Sequence, residues 1–217
     1  MTEDNSLSRA NRSYNAIIDS AYHLFASQGY AATSMRQISD GAGLALGSIY
    51  NHFGSKDEIF EAVVLKRHPI YSVLPLIKDI QADSVDDLFR HSAHNMVRVF
   101  QQHPEFLNLL LIEIVEFKSK HMQLVLEKIY PDVIEISRLL DPFSNDLQDL
   151  PLPLLLRAFI SMFFSFFVTE MLLNNFLPQS FDENSLDMFI EIFLNGIKNH
   201  SDLQSEKSTF LSGTKII

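Results

Sequence analysis

Residues 45–53 read ALGSIYNHF, and five of those side chains carry usable chemistry: Leu46, Ser48, Tyr50, Asn51 and His52. If Ile49 and Phe53, four apart, mark the inner side of a short helix, these five face outward as apolar, hydroxyl, amide and imidazole groups. Such groups donate to phosphate oxygens and touch base edges in a DNA major groove. Three glycines in and just before this stretch (Gly41, Gly43, Gly47) raise a second possibility, a loop that cradles a nucleotide phosphate. That reading fails. A dinucleotide loop needs G-x-G-x-x-G after a strand; here the spacing is G-x-G-x-x-x-G after a helix, and no G-x-x-x-x-G-K-[ST] occurs.

The elements that must position those side chains follow from periodicity and caps. Residues 11–28 carry Ile17, Ala21, Leu24 and Phe25 at helical spacing, and Gly29 stands where a left-handed terminator belongs. Thr33 can cap a second helix over 33–40, with Met35, Ile38 and Ala42 on one face. A turn through "GAGL" leads to a third helix over 45–53. Two short helices joined by a glycine-bearing turn, with a helix before them to pack against, make a helix-turn-helix; spacing alone fits an ordinary helical hairpin equally well. Ser55 with Glu58 three residues on predicts a capping box opening a helix to about residue 68.

Beyond Pro69 the pattern stays helical. Ser84 caps a helix to about Gln102, and Pro104 precedes the apolar "EFLNLLLIEIVEF". A helix over 119–140 should bend or break at Pro131. A long helix follows "DLPLP" and ends before Pro178, and a last one spans 184–199. No stretch alternates with period two, so no strand is expected and the fold class is all-α. Residues 201–217 read as a polar, frayed tail.

Charge divides the chain. From Arg9 to Lys56 there are four basic and two acidic residues, whereas 69–217 hold eleven basic and twenty acidic ones. A mildly basic head on an acidic body permits DNA binding at the head, despite a net charge of −10. The polar start "MTEDNSLSRANRS" has no apolar core of a secretory signal. The apolar run 158–169 is too short to span a bilayer, so no membrane is expected. Cysteine is absent, which removes disulfides and thiolate metal sites. These features suit a cytoplasmic protein.

The segment from about 12 to 64, with "AYHLFASQGYAATSMRQISDGAGLALGSIYNHFGSKDEIF", resembles the N-terminal DNA-binding domain of TetR-family transcriptional regulators. The F-x-x-x-G-Y stretch, Thr33, Ile38, Gly43, the "GSIYNHF" block and Lys56 carry the likeness. The acidic remainder is similar to the family's ligand-binding and dimerisation domain in architecture only, apart from a weak match in "DMFIEIFLNGI". The resemblance implies that Thr33 caps the second helix and touches the DNA backbone. It implies that Ser48, Tyr50 and His52 lie on or beside the DNA-facing side, that Gly47 permits close approach, and that Lys56 pairs with a phosphate. Arg36, Ala45, Leu46 and Asn51 complete the candidate DNA-binding set. Ala45 and Leu46 depart from the family pattern, which commonly has a capping hydroxyl and a lysine there. Leu46 is instead suited to a thymine methyl.

The expected division is a helix-turn-helix domain over 9–54 and an effector-binding and dimerisation domain over 55–200, with 55–68 as a connecting helix. In the second domain, the helix "RAFISMFFSFFVTEMLLNNF" is apolar almost all round, which reads first as buried core and dimer interface. Its Phe159, Met162, Phe163, Phe166 and Phe167 are also candidates for lining an effector pocket. His91 and His94, three apart, with Glu113 on the next helix, could rim that pocket; two histidines and a carboxylate could in principle hold Zn²⁺, but the plainer reading is a polar rim with no metal. A protonated histidine there could anchor an acidic effector.

No G-x-S-x-G, H-E-x-x-H or nucleophilic cysteine is present, and no cofactor motif, so an enzyme is not expected. What the resemblance implies is a homodimer, joined through the last two helices, that binds a palindromic operator in double-stranded DNA. A small hydrophobic or aromatic effector would release it, most often as a repressor. The alternative is a regulator-like helical protein that has lost DNA binding and acts by sequestering a ligand or by protein contact.

Overall fold

The computed structural model describes residues 2–173 and 183–198. Ten α-helices are seen among them: α1 Thr2–Gln28, α2 Met35–Gly41, α3 Leu46–Tyr50, α4 Lys56–Arg67, α5 Ile70–Lys78, α6 Val85–Gln101, α7 Phe106–Val115, α8 Met122–Ser137, α9 Leu152–Leu173 and α10 Glu183–Ile197. A 3₁₀ stretch, Arg138–Asp146, follows α8. The described residues contain no strand, only an isolated bridge between Leu147 and Lys198, so the fold is all-α. The tail expected to fray, 201–217, lies outside the described residues.

Contacts divide the chain into two compact units, with breaks at 75/76, 97/98 and 133/134. The first unit holds α1 to α4, α7 and most of α8; the second holds most of α6, the 3₁₀ stretch, α9 and α10. The core of the first is built on Ile17, Phe25, Ile38, Ile49 and Phe60, all fully buried. Phe60 joins α4 to the head through edge-on contacts with Phe25 (5.4 Å) and Tyr30 (5.6 Å), and stacks on Phe117 (4.5 Å). In the second, Phe89, Phe159 and Phe193 form a triangle with centroids 5.0–5.5 Å apart, and Phe166 meets Phe189 at 5.4 Å.

Several local expectations change. α2 is capped by Ser34, not Thr33: Ser34 Oγ accepts from the Gln37 N–H (3.2 Å), while the Gln37 amide oxygen accepts from the Ser34 N–H (2.8 Å). That reciprocal box satisfies two backbone donors at once. Thr33, buried, turns its hydroxyl back to the Gly29 carbonyl (2.8 Å). Ser55 caps α4 as expected, but Glu58 accepts from the N–H of Gly54 and not of Ser55. α8 runs through Pro131 without breaking; Pro131 and Glu127 are both exposed, so water can serve the carbonyl that proline leaves unpaired. α5, with Val73, Leu74 and Ile77 buried, was not anticipated.

The apolar run 158–169 is part of a longer stretch. Leu152–Glu170 has a mean hydropathy of 1.8 and is long and apolar enough to cross a membrane by length and composition, contrary to the sequence expectation. Within its unit, however, Leu155, Phe159, Phe163 and Phe166 are buried at spacings of four, four and three, the stripe of a core helix.

Candidate functional site

The outward side chains of α3 owe their position to the turn before it. α2 closes with the Ala42 N–H on the Ile38 carbonyl (2.9 Å); the Leu44 N–H then returns to Ser39 (3.0 Å), and Gly43 takes φ +66°, a left-handed value that glycine accepts without cost. α3 spans only Leu46–Tyr50 and has no side-chain cap, because Ala45 carries no acceptor. Ile49 and Phe53, buried beneath it, fix its inner side, and Phe53 stacks on Tyr14 of α1 at 5.0 Å.

The sequence-predicted DNA-binding residues then sort by exposure. Arg36, Ala45, Leu46, Gly47, Tyr50 and Asn51 are exposed, with Leu46 at 40% and Tyr50 at 55%. Ser48 and His52 are half-buried, His52 lying edge-on to Tyr14 (6.3 Å). Thr33 is buried. The Lys56 ammonium donates to the carbonyls of Tyr30 (2.8 Å) and Thr33 (2.7 Å) and sits 4.2 Å above the Tyr30 ring. Tyr30 in turn donates to the Asp57 carboxylate, and burial, reinforced by that partner, pushes its phenol well above the usual range. Lys56 therefore clamps the α1–α2 turn to the start of α4, a contact with residues 23 and 26 positions away that no local pattern reveals.

A cavity lies in the same unit, between α4, α7 and the start of α8. Its apolar walls are Val63, Val64, Phe106, Leu109, Leu110 and Met122, and its polar groups are Arg67, His68 and Glu113. Its volume is ≈ 10 Å³, room for about one water. Arg67, the last residue of α4, is ion-paired with Asp19 of α1. Burial holds His68 down at about 4, hence neutral, and its Nδ1 accepts the Ile70 N–H at 3.1 Å.

Glu113 is buried and fully engaged. One carboxylate oxygen accepts from the N–H groups of His121 (2.6 Å) and Met122 (3.2 Å), and the other lies 2.8 Å from His121 Nδ1. It thereby caps α8 across the α7–α8 turn, where Lys118 and Ser119 both adopt positive φ (53° and 63°). His121 packs against Phe117 and Phe60, with Nε2 3.8 Å from the Glu61 carboxylate.

Of the residues proposed from sequence for an effector pocket, Glu113 alone lines this cavity. Phe159, Phe163 and Phe166 are buried in the second unit, and Met162 and Phe167 are half-buried there. His91 and His94 are exposed on α6; His94 pairs with Asp187 (3.1 Å), beside Arg90 bridging Asp187 (3.3 Å) and Glu191. Among the described residues no group of three or more histidine or acidic side chains could hold a metal ion.

The model of the bacterial regulatory proteins of the tetR family matches residues 17–63. The HTH-type transcriptional repressor KstR2 of Mycobacterium tuberculosis is 38% identical over 56 residues, 26% of this chain and 28% of that relative, so this chain spans under a third of its length. Two solved structures share the fold over most of both chains. The fatty acid degradation regulator FadR from Bacillus halodurans gives a TM-score of 0.67 at 16% identity, covering 83% of this chain and 94% of its own. SmeT, in its triclosan complex, gives 0.61 at 17%, covering 87% and 93%. The match falls on the helices that present α3, so this segment of the chain is similar to the bacterial regulatory proteins of the tetR family.

Proposed function

We propose that this protein is a DNA-binding transcriptional regulator and not an enzyme, most simply a cytoplasmic repressor released from a palindromic operator by a small apolar effector. The observation that carries this is the α3 surface: Leu46, Tyr50 and Asn51 exposed on a helix whose inner side is locked by Ile49 and Phe53. The matched relative is a transcriptional repressor by name, which supports the same reading. Residues 9–54 act as the DNA-binding head. Arg36 supplies phosphate contact, and Ser48, Tyr50, Asn51 and Leu46 supply contact with base edges. Lys56 and Thr33 act by holding the head's shape.

Dimerisation through the last two helices is supported by exposed apolar side chains on both: Leu154, Ile160, Phe164 and Leu172 of α9, and Met188 and Ile192 of α10. Two heads then read half-sites one or more DNA turns apart. The effector site is the cavity between α4 and α7, because α4 follows the head directly; Phe159, Phe163 and Phe166 serve as core. SmeT, solved with triclosan, shows that a molecule of this fold takes an aromatic ligand. Titrating genomic DNA fragments at two salt concentrations tests the proposal. A regulator prefers one sequence and shows a log–log salt slope; uniform weak binding would leave the alternative that acts by ligand sequestration or protein contact.

A further inference from the structure

Tyr14 is absent from the DNA-facing set, yet α1 places it against the end of α3. It falls three and four residues before Ile17 and Ile18, so it continues the stripe on which Ile17, Ile18, Ala21 and Phe25 are buried. Upstream the stripe gives out: residues 9–12 are exposed, and Tyr14 itself is half-buried. Spacing alone makes it a ring at the rim of the core. Its contacts go further.

The Tyr14 ring stacks on Phe53 (centroids 5.0 Å apart, planes at 22°), meets His52 edge-on (6.3 Å, 63°), and has the Lys66 ammonium 4.5 Å from its centroid. Lys66 is held there by a second contact with α1, donating to Asn15 Oδ1 at 3.0 Å. Stacking and the cation together fix the plane of the ring, and with it the edge turned to His52.

His52 lies just past the end of α3 and is half-buried. Among the described residues none hydrogen-bonds its ring, whose contact is with Tyr14. The χ2 torsion of a histidine is broad, so its surroundings decide where the nitrogens point. An imidazole keeps at least one N–H donor in either protonation state. A donor therefore stands unspent beside α3, with a ring edge to aim it.

Resting on the reading of α3 as the DNA-facing helix, we propose that Tyr14 is a positioning residue for DNA binding. Its ring sets the His52 imidazole so that an N–H meets a phosphate oxygen, while Tyr14 makes no DNA contact of its own. A side chain already held in its bound orientation loses little freedom when the partner arrives.

A double-mutant cycle on the full chain tests this, with the fragment selected from genomic DNA as probe. His52→Ala should weaken binding about tenfold over the two protomers. Tyr14→Leu keeps an apolar side chain on Phe53 but removes the edge, and should weaken binding severalfold. The double variant should bind no more weakly than His52→Ala alone. Tyr14→Phe, which keeps the ring, should stay within about twofold of the unaltered chain. A merely structural role harms α3 whether or not His52 is present, so additive losses overturn the proposal. Unchanged binding in Tyr14→Leu overturns it too, as does a loss in Tyr14→Phe equal to that in Tyr14→Leu, which would assign the contact to the hydroxyl. Should Tyr14→Leu not fold, NMR of the unaltered chain carries the test: the Tyr14 and His52 ring protons should cross-relax, and no such signal overturns the proposal. A chain that prefers no fragment sinks the regulator reading and this inference with it, whereas a preferred fragment with additive losses sinks the positioning role alone.

Discussion

α2 and α3 are neighbours of similar size, yet they are held by different means. α2 carries a reciprocal cap from Ser34 and Gln37 and buries Ile38 and Ser39. α3 has five residues, no side-chain cap and one buried side chain, Ile49. A helix that short does not form on its own, because nucleation outweighs one turn of hydrogen bonds. It exists because Ile49 is buried beneath it and Phe53, just after it, stacks on Tyr14 of α1, while Leu46 and Tyr50 stay exposed. The difference teaches that stability is concentrated in the supporting helix and withheld from the helix proposed to read DNA.

The sharpest way to break that contrast is Ile49→Ala. Removing the one buried anchor of α3 should cost about 2–5 kcal/mol by chemical denaturation, and DNA binding should be lost with it. A cost no larger than that of a surface change would mean α3 is held by something else. Next comes Gly41→Ala, where the added carbon meets Ser20 Oγ at 2.4 Å and must swing it off the Ile38 carbonyl. Roughly 1–3 kcal/mol of destabilisation is expected, read as a lowered Tm.

The caps give a paired and smaller test. Ser34→Ala should cost about 0.5–2 kcal/mol, whereas Ala45→Ser should add up to about 1 kcal/mol by giving α3 the cap it lacks. If Ala45→Ser stabilises but weakens DNA binding, the missing cap is a functional choice. The smallest stability effect is expected for Leu46→Lys, within about 0.5 kcal/mol, as an exposed change. Its DNA readout is the informative one: a salt slope steeper by about 0.9 per protomer with relaxed sequence preference marks Leu46 as a base reader. A steeper slope with preference unchanged removes that role.

Much of the head was legible because its signals are local. Gly29 ends α1 at φ +86°, Gly43 turns at +66°, and Ser55 opens α4, all at positions the sequence marks. The cap of α2 was legible too, as Ser34 with Gln37 three residues on, but adjacent Thr33 drew the assignment. Lys56 has a second set of contacts that the sequence does not show. A lysine at a helix start reads as a free cation, and only folding brings the Tyr30 and Thr33 carbonyls to it. The cavity is a product of tertiary contact between α4, α7 and α8, so its lining follows no periodicity. α5 escaped notice because it is short and carries Pro75 in its interior.

The central claim, that α3 reads a specific site, is tested most directly by selecting bound fragments from genomic DNA and titrating the winner against a scrambled copy at two salt concentrations. The account predicts a shared palindrome, bound at least about a thousandfold more tightly than the scrambled copy, with affinity falling linearly on a log–log salt plot. Equal affinity for the two DNAs, with no motif among the selected fragments, would contradict it.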